Sequence, residues 1–375
     1  MKLIQSGKMV AAMALVLAFS APITAMAGDT IKIGVAGAHS GDLATYGLPT
    51  VNAAKLVVDQ VNAKGGIKGK KIELFIEDDV CKPELATNSA QKLLSQGVEV
   101  VIGHICSGPT KAALPIYKNA NILVISPSST SPDLTYSGEY PNFFRTIAPD
   151  DTQAKADVEF ALNKLGFTKI ALVHDKGDYG KGFAEFAKSY IEKSGKAQVV
   201  LFEGVTPGAV DYSAIVQKIK KSGAQAVMFG GYHPEASKIV GMMKKKRLDT
   251  AFISDDGVKV DTFISVAGAD AEGAYASGPM DTTQNPLSIQ AKEEHKKAFG
   301  TDPGSFFENA YSATLALVNA IDKAGSTDLA ALKKVLQTEK VDTPLGSISF
   351  NEKGDAIGVG FSVYQVKGGK FIELK

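Results

Sequence analysis

Short β-branched runs alternate with helix-length amphipathic segments along most of the 375-residue chain, and few folds accept that pattern. It calls for parallel strands joined by crossover helices, an α/β architecture. Residues 31–36 read as the first strand. After a loop holding Gly37, Ser40 and Gly41, Val51, Ala54, Lys55 and Val58 recur at helical spacing in a helix over about 48–63, and Gly65-Gly66 stops it. A strand ending near Ile76, a helix over 84–94, a strand over 98–103, a helix over 110–120 and a strand over 122–126 continue the series.

A Pro-, Ser- and Tyr-rich stretch over 127–142 and an edge strand at 143–145 lead to Asp150, read as a helix cap, where a second series begins. Its strands are expected at 169–173, 198–202, 226–229, 251–254 and 273–276, with helices starting at Tyr179, Tyr212, Pro234 and Asp261. The alternation then breaks into three successive helices, over 286–299, 308–324 and 328–336. Three short strands close the chain, over 346–350, 358–366 and 370–374. Two βα series followed by unmatched helices imply two similar doubly wound lobes, with the C-terminal part returning to complete the first. Ligands of open α/β sheets bind beyond the carboxyl ends of strands, so a cleft between two such lobes directs attention to the loops there.

The N-terminus reads as a secretory leader. Lys2 and Lys8 precede an apolar run over 9–19, and Ala25-Met26-Ala27 offers the small-x-small pattern of a cleavage site after Ala27. The run is shorter than the ~20 residues a membrane span needs. The first cysteine is Cys81, which argues against lipid anchoring at the cleavage site. Export argues against chemistry that depends on cytoplasmic nicotinamide cofactors or ATP. With 41 basic and 40 acidic residues, the chain lacks the basic footprint of a nucleic-acid binder. Cys81 and Cys106 have neither zinc-site nor C-x-x-C spacing. In an exported protein they read as a disulfide between loops beyond neighbouring strands, with two unlinked thiols as the alternative.

The strand-end loops show binding groups without catalytic apparatus. Gly103-His104-Ile105-Cys106-Ser107-Gly108-Pro109-Thr110 has Pro109 where a phosphate loop needs lysine, yet Ser107 and the N–H groups opening the next helix suit a single carboxylate. Pro127-Ser128-Ser129-Thr130-Ser131 gathers hydroxyls, which an ordinary Ser-rich turn would also do. Tyr179 and Tyr232 offer ring faces, and Asp255 or Asp256 could meet a cation. His174 and His233 each stand alone at a strand end and read as structural rather than as a metal pair. No G-x-S-x-G or H-x-x-x-H occurs, so no catalytic set and no metal site are assigned.

Several of these stretches together resemble the periplasmic leucine, isoleucine and valine binding proteins of bacterial ABC transporters. They are Val101-Ile102-Gly103-His104-Ile105-Cys106-Ser107, Val173-His174-Asp175-Lys176 with Tyr179-Gly180, Gly230-Gly231-Tyr232-His233-Pro234-Glu235, Asn62-Ala63-Lys64-Gly65-Gly66-Ile67-Lys68-Gly69 and Asn351-Glu352-Lys353-Gly354-Asp355. The resemblance covers essentially the whole chain after the leader. It implies the type I periplasmic binding fold: two doubly wound, Rossmann-like lobes joined by three crossovers and closing on one amino acid. By that analogy residues 1–27 are the signal peptide, 28–148 plus 280–357 form the first lobe, and 149–279 plus 358–375 form the second. The protein would act in the periplasm as a monomer without a cofactor, with a small amino acid and the membrane permease subunits as partners.

Carried over by position, the resemblance gives Ser107 and Thr130 to the ligand carboxylate, and the Ser128 carbonyl with Thr130 and Asp256 to its ammonium. Tyr46, Ile105, Tyr179, Tyr232 and Phe306 would line the side-chain pocket, and Cys81 with Cys106 matches the family disulfide beside it. Asp256 stands where close relatives carry Glu, and Glu308 where they place an aromatic residue. These departures leave a second reading, another amino acid, amide or small carboxylate in the same cleft; the rival of another class is an exported hydrolase using that cleft.

Overall fold

The computed structural model describes residues 30–374; the expected leader and its cleavage position lie outside the described residues. The first series runs β1 (Ile31–Gly37), α1 (Ala44–Ala63), β2 (Ile72–Asp78), α2 (Pro83–Ser95), β3 (Val100–Ile102), α3 (Ser107–Asn119), β4 (Leu123–Ser126), α4 (Asp133–Tyr136) and β5 (Phe143–Arg145). The second runs α5 (Asp150–Glu159), β6 (Lys169–His174), α6 (Asp178–Ser194), β7 (Gln198–Gly204), α7 (Ser213–Ser222), β8 (Ala226–Gly230), α8 (His233–Lys245), β9 (Ala251–Ser254), α9 (Asp261–Ala267) and β10 (Tyr275–Pro279). Then come α10 (Pro286–Phe299), α11 (Phe307–Ala324), α12 (Leu329–Thr338), β11 (Val341–Thr343), β12 (Gly346–Phe350), β13 (Ala356–Ile357), β14 (Phe361–Lys367) and β15 (Lys370–Glu373).

Five parallel strands in the order β2-β1-β3-β4-β5 make one sheet. The other has seven, ordered β15-β14-β10-β9-β8-β6-β7, all running the same way except β14, which is antiparallel to both its neighbours, β10 and β15. The C-terminal helices return to the first sheet: α11 packs along α1, and Ala313, Ala316, Leu317 and Ala320 share one core with Ile33, Val35, Val100 and Ile102. Strands buried on both faces read as continuous apolar runs, which is why the expected strands largely coincide with the observed ones.

The differences have local causes. Helix α3 starts at Ser107 rather than residue 110, because Pro109 falls in the first turn, where the missing N–H would have no helical partner. Asp150 is the first helical residue of α5 and not its cap; Pro149, with extended φ −79°, takes the cap position. The strand expected over 358–366 begins only at Phe361, because Gly358 has a left-handed φ of 96° where the chain passes from β13 in a small third sheet to β14 in the seven-stranded one.

Cys81 and Cys106 form a disulfide with their Cα atoms 5.7 Å apart, tying the loop after β2 to the start of α3. The closed loop is worth about 3 to 4 kcal/mol in the chain-entropy model. Reduction should therefore shift a denaturant midpoint by that order. A thiol count on denatured, unreduced protein should find none free, and two titrating thiols would overturn the bridge.

Candidate functional site

The carboxyl ends of the parallel strands in both sheets face one small cavity. Tyr46, Ile105, Cys106, Ser107, Ser128 and Phe306 line it from the side of the five-stranded sheet, and Tyr179, Tyr232, Asp256 and Gly257 from the other. Eight of the expected site residues thus share one wall with Cys106. Thr130 and Cys81 lie one step behind it, Thr130 fully buried with its carbonyl accepting the Asp150 N–H at 3.0 Å.

Local packing sets these positions. Gly180, which follows Tyr179 at the start of α6, meets Gly230 at the end of β8. A methyl on Gly180 would lie 2.3 Å from the Gly230 carbonyl oxygen, and one on Gly230 would lie 2.1 Å from the Gly180 oxygen. Only two glycines allow this approach, which brings the Tyr179 and Tyr232 rings within 5.2 Å of each other. On the other side, hydroxyls fasten the 126–131 loop to the 104–107 loop. Ser126 Oγ donates to the His104 carbonyl at 2.6 Å, Ser128 Oγ to the Ile105 carbonyl at 2.8 Å, and Ser129 Oγ to the His104 carbonyl at 3.0 Å. Ser107 Oγ accepts the Ser131 N–H at 3.1 Å.

Beneath that loop, Arg145 is fully buried. Its Nε lies 2.6 Å from Asp355 Oδ1, and its other nitrogens donate to the Ser129 carbonyl at 3.2 Å, the Ser131 carbonyl at 2.8 Å and Thr135 Oγ1 at 2.7 Å. A guanidinium with this many partners is the usual solution for a charge removed from water.

Several bonds join the two halves. Tyr46 OH donates to the Gly257 carbonyl at 2.5 Å, so its single hydrogen is committed and His233 Nδ1, 2.7 Å away, must be the donor of the second bond. Burial depresses His233 to about 4, which keeps the ring neutral at pH 7 and makes it a structural support. Thr45 and Thr262 meet at 3.1 Å, and Ser305 Oγ donates to the Lys259 carbonyl at 3.2 Å.

The aspartate pair divides clearly. Asp255 turns away from the cavity and accepts the Gly231 N–H at 2.8 Å. Asp256 lines the cavity; its Oδ1 accepts from the Tyr179 hydroxyl, whose oxygen in turn accepts the Gly257 N–H at 2.9 Å, while its Oδ2 meets no hydrogen-bond donor among the described residues. Burial pushes Asp256 up to about 6, opposed by the Tyr179 hydrogen bond. Asp255 and Asp150 are pushed well up by burial and then by the charge on Asp256, and Asp157 by burial foremost. So much buried negative potential around one cavity is costly without a cation to offset it.

Glu308 is not part of this wall. It pairs with Lys292 at 2.5 Å and accepts from Thr282 Oγ1 at 3.3 Å, in a separate and larger groove behind Phe306. Sequence reasoning missed two buried networks. His104 Nδ1 lies 2.5 Å from Asp79 Oδ2 and its Nε2 3.1 Å from Tyr117 OH, and Gln153 Nε2 donates at 2.9 Å to Ser277 Oγ, which donates to Asp157 Oδ2 at 2.8 Å. Their members stand far apart in the chain with no periodic signal. Among the described residues, no cluster of three or more His, Cys, Asp or Glu side chains is arranged to hold a metal ion, and no helix is long and apolar enough to cross a membrane.

A family model described as periplasmic binding protein matches residues 30–370. The leucine-, isoleucine-, valine-, threonine-, and alanine-binding protein of Pseudomonas aeruginosa is 38% identical over 341 residues, 91% of each chain. The Leu/Ile/Val-binding protein of Escherichia coli K12 is 37% identical over 358 residues, 96% of each. In structure, the chain is similar to the branched-chain amino acid transporter substrate binding protein LivJ from Streptococcus pneumoniae in complex with isoleucine, with a TM-score of 0.83 and 27% identity over 92% of this chain and 100% of that one.

Proposed function

Because the chain belongs to the periplasmic binding protein family, we propose that it captures a branched-chain aliphatic amino acid between its lobes and delivers it to the permease of an ABC transporter. The observation that carries this reading is the distribution of charge and shape around one cavity. A buried carboxylate, Asp256, comes from one side, the Ser107 hydroxyl at the start of α3 from the other, and the walls are aromatic and aliphatic.

In this reading Ser107, Thr130 and the first N–H groups of α3 hold the ligand carboxylate, while Asp256, Thr130 and the Ser128 carbonyl hold its ammonium. Tyr46, Ile105, Tyr179, Tyr232 and Phe306 enclose the side chain. Residues 28–148 plus 280–357 act as one lobe and 149–279 plus 358–375 as the other, released to the periplasm once 1–27 are removed.

The one carboxylate that balances the ammonium, Asp256, lies across the cleft from Ser107, Ser128 and Thr130, so neither half-site satisfies the zwitterion alone and ligand favours the closed arrangement through its differential affinity, with the passages near Ala148, Pro279 and Val359 as hinges. Calorimetry of ligand-stripped, refolded protein against the twenty amino acids should show heat with leucine, isoleucine or valine. Small-angle scattering should then show a smaller radius of gyration at saturation. An unchanged radius would count against closure, and absence of binding by all three against the function itself.

A further inference from the structure

The groove behind Phe306 holds about 740 Å³, a size typical of small-molecule sites, and the amino-acid reading makes no use of it. Phe306 is the wall it shares with the amino-acid cavity. Its other walls come from both halves of the molecule. Ile264 and Phe371 stand on the side of the seven-stranded sheet, Leu345 and Glu308 on the side of the five-stranded one, and Met280 in the passage that leaves β10.

Lys259 gives this groove its chemistry. Among the described residues its ammonium makes no ion pair and lies over the Tyr364 ring, 4.4 Å from the centroid. Its stem is seated on Gly278, where a methyl would come within 2.8 Å of Lys259 Cδ, and the Tyr364 hydroxyl donates to the Pro279 carbonyl at 2.6 Å. Burial lowers the pKa of this ammonium; Glu308, Asp261 and Asp281 oppose the shift, and Lys292 adds to it. Two of those acids are engaged elsewhere. Glu308 pairs with Lys292 at 2.5 Å, and Asp281 accepts from the Thr283 N–H at 2.8 Å and its hydroxyl at 2.7 Å. Asp261 and Lys370 are exposed to solvent. A partly desolvated cation with no anion beside it suits one negative charge, and the surrounding carboxylates repel a second, which disfavours phosphates.

We propose that this groove is a second ligand site, taking a small monocarboxylate with an apolar tail. The carboxylate pairs with the Lys259 ammonium, and the tail covers Ile264, Met280, Leu345 and Phe371, of which Met280 is 45% exposed without it. An occupant touches both halves and the passage between them at once, so it favours the arrangement in which these walls stand together. The proposal does not depend on what fills the cavity on the other side of Phe306.

The test is calorimetry with sodium hexanoate on the full mature protein saturated with leucine, which closes the amino-acid cavity to the probe. Wild type should bind hexanoate with a dissociation constant of about 1 mM or lower. Lys259→Met, which keeps the apolar stem and removes the charge, should weaken this at least about tenfold. Hexan-1-ol, the same tail without the charge, should also bind wild type at least about tenfold more weakly than hexanoate does, a comparison that needs no variant. Absence of hexanoate binding by wild type, undiminished affinity in a folded Lys259→Met, or equal binding of hexan-1-ol overturns the proposal. Failure of leucine to bind sinks the amino-acid reading instead, and the same comparisons on unliganded protein then decide the groove.

Discussion

Asp256→Ala is expected to weaken binding of the native amino acid by roughly 2 to 5 kcal/mol, the range seen when one partner of a buried, hydrogen-bonded charge pair is truncated. Asp256 is 2% exposed and is the aspartate that lines the cavity, whereas its neighbour Asp255 is held by the Gly231 amide. Calorimetry on both alanine variants separates them, and an Asp256 variant that binds normally would remove it from the site.

The same residue gives a pH signature with two opposite signs. Its carboxyl titrates near 6 in the folded protein against an ordinary 3.8, so between these values the folded state holds a proton that the unfolded chain has released. Stability of the ligand-free protein should therefore fall as pH rises through that window. Asp255 and Asp150, shifted the same way, add to the trend. Ligand affinity runs the other way, falling as pH drops below about 6, because a neutral Asp256 no longer attracts the ammonium. Unfolding midpoints with and without saturating leucine, on either side of that value, should show ligand protection growing with pH.

Arg145→Met should cost about 3 to 5 kcal/mol of folding stability, since it strands the Asp355 carboxylate, which is 6% exposed, without its cation. A denaturant midpoint reads this directly. Arg145→Met combined with Asp355→Leu should recover part of the loss, because removing both charges is far cheaper than removing one. Affinity should fall as well, because Arg145 holds the Ser129 and Ser131 carbonyls on either side of Thr130. A single variant as stable as wild type would mean that water reaches Asp355 when the arginine is gone.

The central parallel units were legible because strands such as Val100–Ile102 and Ala226–Gly230 are buried on both faces and are written as unbroken apolar runs that end at a glycine. What the pattern could not carry was the destination of a segment. One strand was expected over 358–366, yet the chain there divides between Ala356–Ile357 and Phe361–Lys367, which pair with different sheets. Alternation records which face of a strand is covered and not which sheet covers it. The cavity wall was legible through motifs spread over the whole chain. The supports behind it were not: Gln153 meets Ser277 across 124 residues, and His104 meets Asp79 across 25, with no local spacing to announce either. Asp150 had the chemistry of a cap, but the extended Pro149 before it took that place.

The bonds that cross the cleft at Tyr46, Thr45 and Ser305 use only protein atoms, so they form whether or not an amino acid is enclosed. Each neutral bond is worth about 0.5 to 1.5 kcal/mol, and each such increment multiplies the share of shut but unloaded molecules by about 2 to 13. A transporter that recognises the shut surface meets these as decoys that occupy it and deliver nothing. The strength of this latch therefore sets a compromise between long cargo retention and idle traffic at the membrane.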